Sequence, residues 1–262
     1  MEPAITTGDG ASAAPSPGCL RGWRLVFVSP CSAGNVGACA RLVKNFGLDG
    51  LHLVAPRCDL DRDEAASHMA VHAADVLAAR VEHPDLAAAL AGTRFSIGLS
   101  MRRGEAQRFD LEDWSPAPLL ARAATPCALV IGREDSGLTT EERALCTALW
   151  SLPTSPAFPS MNAAQAAAAA LGLLAAAMED SPPSPAGTET LAAHDEVEAM
   201  LAHLRDALRA VDYERGRRVD VALDEVRRIA ARAMLTRNDV QLVRGFCRRV
   251  LNATEKKGSL HG

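Results

Sequence analysis

The feature that most narrows the fold is a strand, turn, helix and second strand packed into about 30 residues. The apolar run Arg24-Leu-Val-Phe-Val-Ser-Pro30 leads into a small-residue turn, Ser32-Ala-Gly-Asn-Val-Gly37. A helical pattern from Val36 to Phe46 is stopped by Gly47, and Leu51-His-Leu-Val-Ala55 ends at Pro56. Two strands joined through a helix in this length read as a parallel crossover. Phe95-Ser-Ile-Gly-Leu99, Cys127-Ala-Leu-Val-Ile131 and the shorter Ala148-Leu-Trp-Ser-Leu152 continue the strand series. Helical segments fall between them, at about Asp63 to Leu77, Pro84 to Leu90 and Thr140 to Cys146. Thr139 followed three residues on by Glu142 reads as a capping box. The chain is therefore expected to be α/β with a mainly parallel sheet.

The organisation changes at Asp180-Ser-Pro-Pro-Ser-Pro-Ala-Gly-Thr188, a stretch that cannot continue a helix. Residues 1–22 read as a disordered leader, 23–179 as the α/β domain, 180–190 as a linker and 191–262 as a helical extension. Helices are expected at about His194 to Ala210, Val221 to Ala233 and Arg237 to Leu251, with Thr236 and Asp239 capping the last. Charge follows the same division. Residues 1–190 carry 14 Lys and Arg against 21 Asp and Glu, whereas residues 191–262 carry 14 against 11. A basic end on an acidic body permits a polyanionic partner, and it also describes an ordinary solvated helical face. Seven cysteines without a Cys-x-x-Cys pair point to a reduced, cytoplasmic protein. The leader has neither the charge nor the apolar core of a signal peptide. No membrane span is expected: the longest apolar stretch, Ala166 to Met178, is mostly alanine.

Ligands of open parallel sheets bind beyond the carboxyl ends of the strands, so the loops after the strands are the candidate site. Three stand out: Ser32 to Arg41, Ile131-Gly-Arg-Glu-Asp-Ser-Gly-Leu138, and Leu152-Pro-Thr-Ser-Pro-Ala-Phe-Pro-Ser-Met-Asn162. The first has no Gly-Lys-Ser/Thr ending and no Gly-x-Gly-x-x-Gly, which argues against a Walker A or dinucleotide loop. Arg41 is either functional or a surface arginine. Glu134 either anchors a cation or caps the next helix. The proline-rich third loop is either a preorganised binding wall or a stiff turn. His68 and His72 share a helix face but lack a third ligand, so no metal site is expected. The few aromatic residues are scattered and form no stacking platform.

Taken together the three loops resemble the SpoU/TrmH family of RNA ribose methyltransferases, of the SPOUT class, and most closely its TrmJ-like branch. The resemblance rests on Gly34-Asn-Val-Gly-Ala-Cys-Ala-Arg41 with Lys44-Asn-Phe-Gly47, on Val130-Ile-Gly-Arg-Glu-Asp-Ser-Gly-Leu138, and on Leu152-Pro153 with Ser160-Met-Asn162. It covers about Arg24 to Met178. The segment Ala233-Met-Leu-Thr-Arg-Asn-Asp-Val-Gln-Leu-Val-Arg-Gly245 is similar to the helical C-terminal extension of that branch.

The resemblance implies a C-terminal trefoil knot in the α/β domain and a homodimer with the active site near its interface. It implies S-adenosyl-L-methionine (AdoMet) as cofactor, walled by Leu99, Ser100, Met101, Gly132, Leu152, Pro159, Ser160 and Met161. A branched side chain at Gly132 is expected to strike that cofactor. Arg41 would act on the ribose 2′-hydroxyl, as base, orienting group or charge stabiliser, since an arginine is a poor base at neutral pH. Asn35, Glu134, Ser160 and Asn162 would position Arg41, the ribose or the cofactor, and Arg133 would contact a phosphate. The implied reaction is 2′-O-methylation of tRNA at anticodon-loop nucleotide 32, with cytidine or uridine as the base. The alternatives are an rRNA or another tRNA position, or an RNA-binding protein that keeps the fold without turnover. Leu99-Ser-Met-Arg102 and Ser155-Pro-Ala-Phe-Pro159 depart from the branch pattern of Thr-Ser-Ala-Arg and Asn-Pro-Glu-Tyr-Ser.

Overall fold

The computed structural model describes residues 19–101, 125–155, 157–179, 190–213 and 218–258. Six parallel strands form one sheet in the order β3-β2-β1-β5-β4-β6. They are β1 (Trp23–Val28), β2 (Gly50–Val54), β3 (Val81–His83), β4 (Phe95–Leu99), β5 (Cys127–Ile131) and β6 (Ala148–Trp150). All of β5 and most of β1 are buried, which is why their sequences read as continuous apolar runs.

The crossover helix α1 (Ala33–Asn45) begins earlier than its apolar periodicity predicts, because Ser32 is its N-cap and accepts the Asn35 amide at 3.3 Å. It packs closely on α2 (Glu64–Ala70) through Gly37, where a Cβ would lie 2.1 Å from the Ala66 carbonyl oxygen. The predicted helix from Asp63 to Leu77 is broken. Val71 has φ +46, a 3-10 turn follows, and α3 (Ala74–Ala78) starts anew. After β3 and β5 come α4 (Leu86–Leu90) and α5 (Thr140–Leu145). The alanine-rich α6 (Ala163–Glu179) lies on the same sheet face as α1, in one core with Phe27, Leu129 and Trp150. Leu20 is also fully buried in this core, and its amide donates to Phe46 O at 2.7 Å. The leader reading is therefore corrected at its end: residues 19–22 are part of the packed body. Residues 1–18 and the 180–189 stretch lie outside the described residues.

Helices α7 (His194–Ala210), α8 (Val219–Ala233) and α9 (Arg237–Gly258) form the extension around a second core that includes Met200, Leu223 and Val240. It is tied to the sheet domain where the His194 amide donates to Thr93 O at 2.7 Å and the Gly92 amide to Asp195 Oδ1 at 3.0 Å. Among the described residues no helix is long and apolar enough to cross a membrane.

At the sheet edge the imidazoles of His52 and His83 stack, with His52 Nδ1 2.8 Å from His83 Nε2. Burial, the Arg24 guanidinium and the second ring push the His52 pKa down to about 4. A histidine that resists protonation when folded makes stability rise with pH between its folded and unfolded values. Stability should therefore fall as pH drops from about 6.5 towards 4. His52→Gln should flatten that part of the curve in urea denaturation at pH 7 and pH 5.

Candidate active site

Three loops at the carboxyl end of the sheet are joined by one carboxylate. Glu134, three residues past β5, accepts from the Cys31 amide at 3.0 Å, the Ser32 amide at 3.1 Å and Asn35 Nδ2 at 3.2 Å. The Cys31 thiol donates to it as well, at 3.2 Å. These donors belong to the start of α1, where free amides and the helix dipole favour an anion. Partial burial works to raise the Glu134 pKa, but the amide and side-chain donors outweigh it and hold the carboxyl below its usual range. The same bond to Glu134, with burial, pushes the Cys31 thiol up.

The network continues to the third loop. Asn35 Oδ1 accepts from Asn162 Nδ2 at 2.9 Å, and Asn162 Oδ1 accepts from the Ala164 and Gln165 amides at 3.0 and 3.2 Å. Asn162 thus caps α6 while facing Asn35. The structure links Glu134, Asn35 and Asn162 in one chain of hydrogen bonds.

The loop after β5 is shaped from within. Arg133 and Gly137 exchange both backbone hydrogen bonds, at 3.2 and 3.0 Å. Arg133 forms a two-pronged ion pair with Glu142, both contacts at 2.8 Å. Glu142 also closes the capping box with Thr139. In this structure the fork of Arg133, expected to meet a phosphate, is engaged by Glu142. The role of Gly132 changes too. A Cβ there would sit 2.2 Å from Gly137 C, so a side chain would break the loop itself before reaching any ligand.

A cavity of about 350 Å³ opens among these loops, within the size range of small-molecule sites. Leu99, Ser100, Met101, Gly132, Leu152, Pro159, Ser160 and Met161 all line it, together with Glu134. Asn35 and Asn162 stand outside the lining, behind Glu134. Arg41 stands outside it as well: it is exposed, and lies a third of a turn around α1 from Asn35. Lining residues that sequence reasoning missed include Ser136, Thr154, Arg143 and Trp150. Trp150 lies inside the predicted strand Ala148 to Leu152, and the structure ends β6 at it.

Among the described lining residues none is poised as a strong base. Glu134 is held ionised by its donors, Arg133 is paired, and Arg143 is buried and donates to Leu138 O and Thr140 Oγ1, both at 3.1 Å. Such a site can bind and orient reactants, which suits chemistry in which a bound reagent is already activated.

An all-parallel sheet with a ligand-sized cavity at its carboxyl edge places the chain among α/β proteins, which bind ligands at that edge. Residues 22–172 match the model of the SpoU rRNA Methylase family, and residues 195–259 match that of the tRNA methyltransferase TrmJ C-terminal domain. The chain belongs to the SpoU rRNA methylase family. It is 29% identical over 233 residues to the tRNA (cytidine/uridine-2′-O-)-methyltransferase TrmJ of Escherichia coli K12, covering 87% of this chain and 94% of that one. The tRNA (cytidine-2′-O-)-methyltransferase TrmJ of Methanocaldococcus jannaschii is 33% identical over 150 residues, 56% of this chain and 64% of its own. The crystal structure of TrmJ from Z. mobilis ZM4 superposes with a TM-score of 0.72 at 26% identity, over 87% of this chain and 98% of that one.

Glu134→Gln tests the central carboxylate. It keeps the volume but replaces one acceptor with an amide that faces the Cys31 and Ser32 donors. The expected cost is about 1–2 kcal/mol in chemical denaturation, the size of a lost helix cap. The effect should shrink as the pH falls through the carboxyl's folded pKa, because a protonated Glu134 has already lost the same bonds.

Proposed function

We propose that this chain is an AdoMet-dependent tRNA 2′-O-ribose methyltransferase that modifies cytidine or uridine at anticodon-loop nucleotide 32. The observation that carries this reading is that the second and third family loops line one cavity while Glu134 of that wall bonds the first loop. The wall fits the cofactor. It combines apolar contacts from Leu99, Ile131, Leu152 and Met161 with hydroxyls from Ser100 and Ser160, and its volume matches a nucleoside-sized ligand. Leu99 to Met101, Gly132, Leu152 and Pro159 to Met161 would hold it. Bound there, it supplies an activated methyl group for transfer. The protein's part is to seat the ribose and to steady the charge that develops as its 2′-hydroxyl loses a proton.

In this reading Asn35 and Asn162 act through Glu134, fixing the start of α1 and of α6 against each other. Arg41 orients the hydroxyl or stabilises its charge. Its exposed position away from its own cavity is accounted for by a homodimer, in which α1 of one copy faces the site of the other. The Leu152 to Asn162 connection is read as the threaded segment of a trefoil knot. We further propose residues 23–179 as the catalytic unit, 191–262 as an RNA-binding extension, and the cytoplasm as the compartment. The relatives' printed activities support the tRNA reading, and the basic excess of the extension supports an RNA partner.

The direct test is methyl transfer from AdoMet to unmodified tRNA, with the product nucleotide located by mass spectrometry. Arg41→Ala should lower turnover by about 10²-fold or more, the scale of a lost acid–base or orienting group. S-adenosylhomocysteine affinity, read by calorimetry, should stay unchanged because Arg41 is not part of the cavity wall.

Arg248 and Arg249 are exposed on α9. Reversing both to Glu should weaken tRNA binding while sparing S-adenosylhomocysteine affinity. The slope of log affinity against log salt should become shallower by about 2 if each arginine meets one phosphate. Filter binding over a salt series reads both quantities.

A further inference from the structure

Helix α9 buries one face and leaves the opposite one bare. Val240 and Cys247 are both buried. On the other side Leu242 is 75% exposed and Phe246 is 66% exposed. These two lie four residues apart, so they sit one above the other on a single face. Arg249, three residues past Phe246 and also exposed, continues that face. Single exposed apolar residues are ordinary, but a leucine and a phenylalanine together leave a continuous apolar strip in water.

The charge around the strip points to its partner. Between Asp239 and Glu255 the helix sequence has no acid and carries Arg244, Arg248 and Arg249. Asp239 is committed to the helix cap, where it accepts from the Thr236 amide and hydroxyl, both at 2.8 Å. Such a face attracts a polyanion. Gly245 adds a second sign. A Cβ there would meet nothing within 4 Å, so no neighbour among the described residues requires its small size. Glycine weakens a helix interior relative to alanine, but its bare backbone lets an outside partner come close. A partner that is negatively charged and also offers flat apolar faces is single-stranded nucleic acid, whose bases stack on aromatic rings while arginines meet its phosphates. A second protein is less suited, because two apolar side chains fall far short of the area a stable protein interface buries.

We propose that the Leu242–Phe246 face of α9 binds an unpaired nucleotide of the RNA substrate. Phe246 stacks on its base, Leu242 extends the apolar floor and Arg249 pairs with a flanking phosphate. This rests on the reading of 191–262 as an RNA-binding extension and adds what that extension selects. Bases in a duplex are already stacked, whereas loop bases are free to leave the stack. The extension therefore favours looped over fully paired RNA. Stacking neutralises no phosphate, so the Phe246 contact adds affinity without adding salt dependence.

The experiment uses the full chain, with an unmodified tRNA transcript and a blunt RNA duplex of equal length as probes. Phe246→Ala should bind the tRNA about 10-fold more weakly, the scale of one lost base stack, and should bind the duplex as before. Its slope of log affinity against log salt should match the wild type, unlike that of the Arg248 and Arg249 double variant. Phe246→Leu keeps an apolar side chain without a ring and should lose as much. Phe246→Trp keeps a stacking surface and should bind as the wild type does, with its indole fluorescence quenched by the tRNA and not by the duplex. Melting temperature and sedimentation of Phe246→Ala should not move, because the side chain is exposed. Equal tRNA affinity in Phe246→Ala and wild type would overturn the proposal, as would full affinity in Phe246→Leu, which marks plain apolar docking. A changed oligomeric state in Phe246→Ala assigns the face to a second copy and also overturns it. If Phe246→Ala does not fold, Phe246→Trp decides, and fluorescence unmoved at saturating tRNA overturns the proposal. Wild-type protein that binds tRNA without these differences among the variants defeats this inference alone, whereas wild-type protein that does not bind tRNA defeats the RNA reading of the extension as well.

Discussion

The Glu134 carboxylate at the start of α1 is the interaction on which the arrangement of the site depends. Parallel strands deliver three loops to one edge of the sheet, but nothing in the sheet fixes how those loops meet. An ionised carboxylate among three backbone or amide N–H donors and a thiol does so. It compensates the unpaired amides of a helix terminus and at the same time anchors the loop after β5. Asn35 and Asn162 extend the hold to α6, so the two helices that flank the core are set by the same chain of polar contacts.

The backbone beneath this network is strained, and the strain is braced. Ser29 and Ala55, directly after β1 and β2, have φ values of +48 and +41. The Ser29 amide donates to Val54 O at 2.7 Å, and Arg57 returns its amide to Pro30 O at 2.8 Å and its Nε to Ser29 O at 3.2 Å. Arg57 also lies 3.6 Å from the Asp135 carboxylate. Non-glycine residues keep such conformations only where their surroundings over-determine them. Here the surroundings do so at the point where the chain turns from β1 to the N-cap of α1.

Much of this was legible in the sequence because it is local. The strands at Phe95–Leu99 and Cys127–Ile131, the Thr139–Glu142 capping box and the α9 cap by Asp239 are each written within a few consecutive residues. The eight wall residues follow from family motifs, not from periodicity. What was illegible is set at a distance. Strand β3 is three exposed or half-exposed residues with no alternation to read. The break at Val71, where φ is +46, leaves no mark in a local pattern that continues a helix. Arg133 resembles a free phosphate ligand until Glu142, nine residues on, occupies it. The spacing that brings Glu134 to Cys31 spans 103 residues and leaves no local trace.

The loop from Arg133 to Gly137 closes on itself through a reciprocal pair of backbone hydrogen bonds, with its exposed tip at Asp135 and Ser136. Its base carries the arginine that meets Glu142, and its middle carries the glutamate that meets α1. Such a loop is constrained in length, while its tip residues hold neither of its two anchors. Substitutions at Asp135 and Ser136 would alter the cavity wall and the Arg57 contact without moving either anchor. A single residue inserted between Arg133 and Gly137 would rotate Glu134 off the helix start or Arg133 off its partner. Drift in this part of the family should therefore run through substitutions, and gaps should be purged.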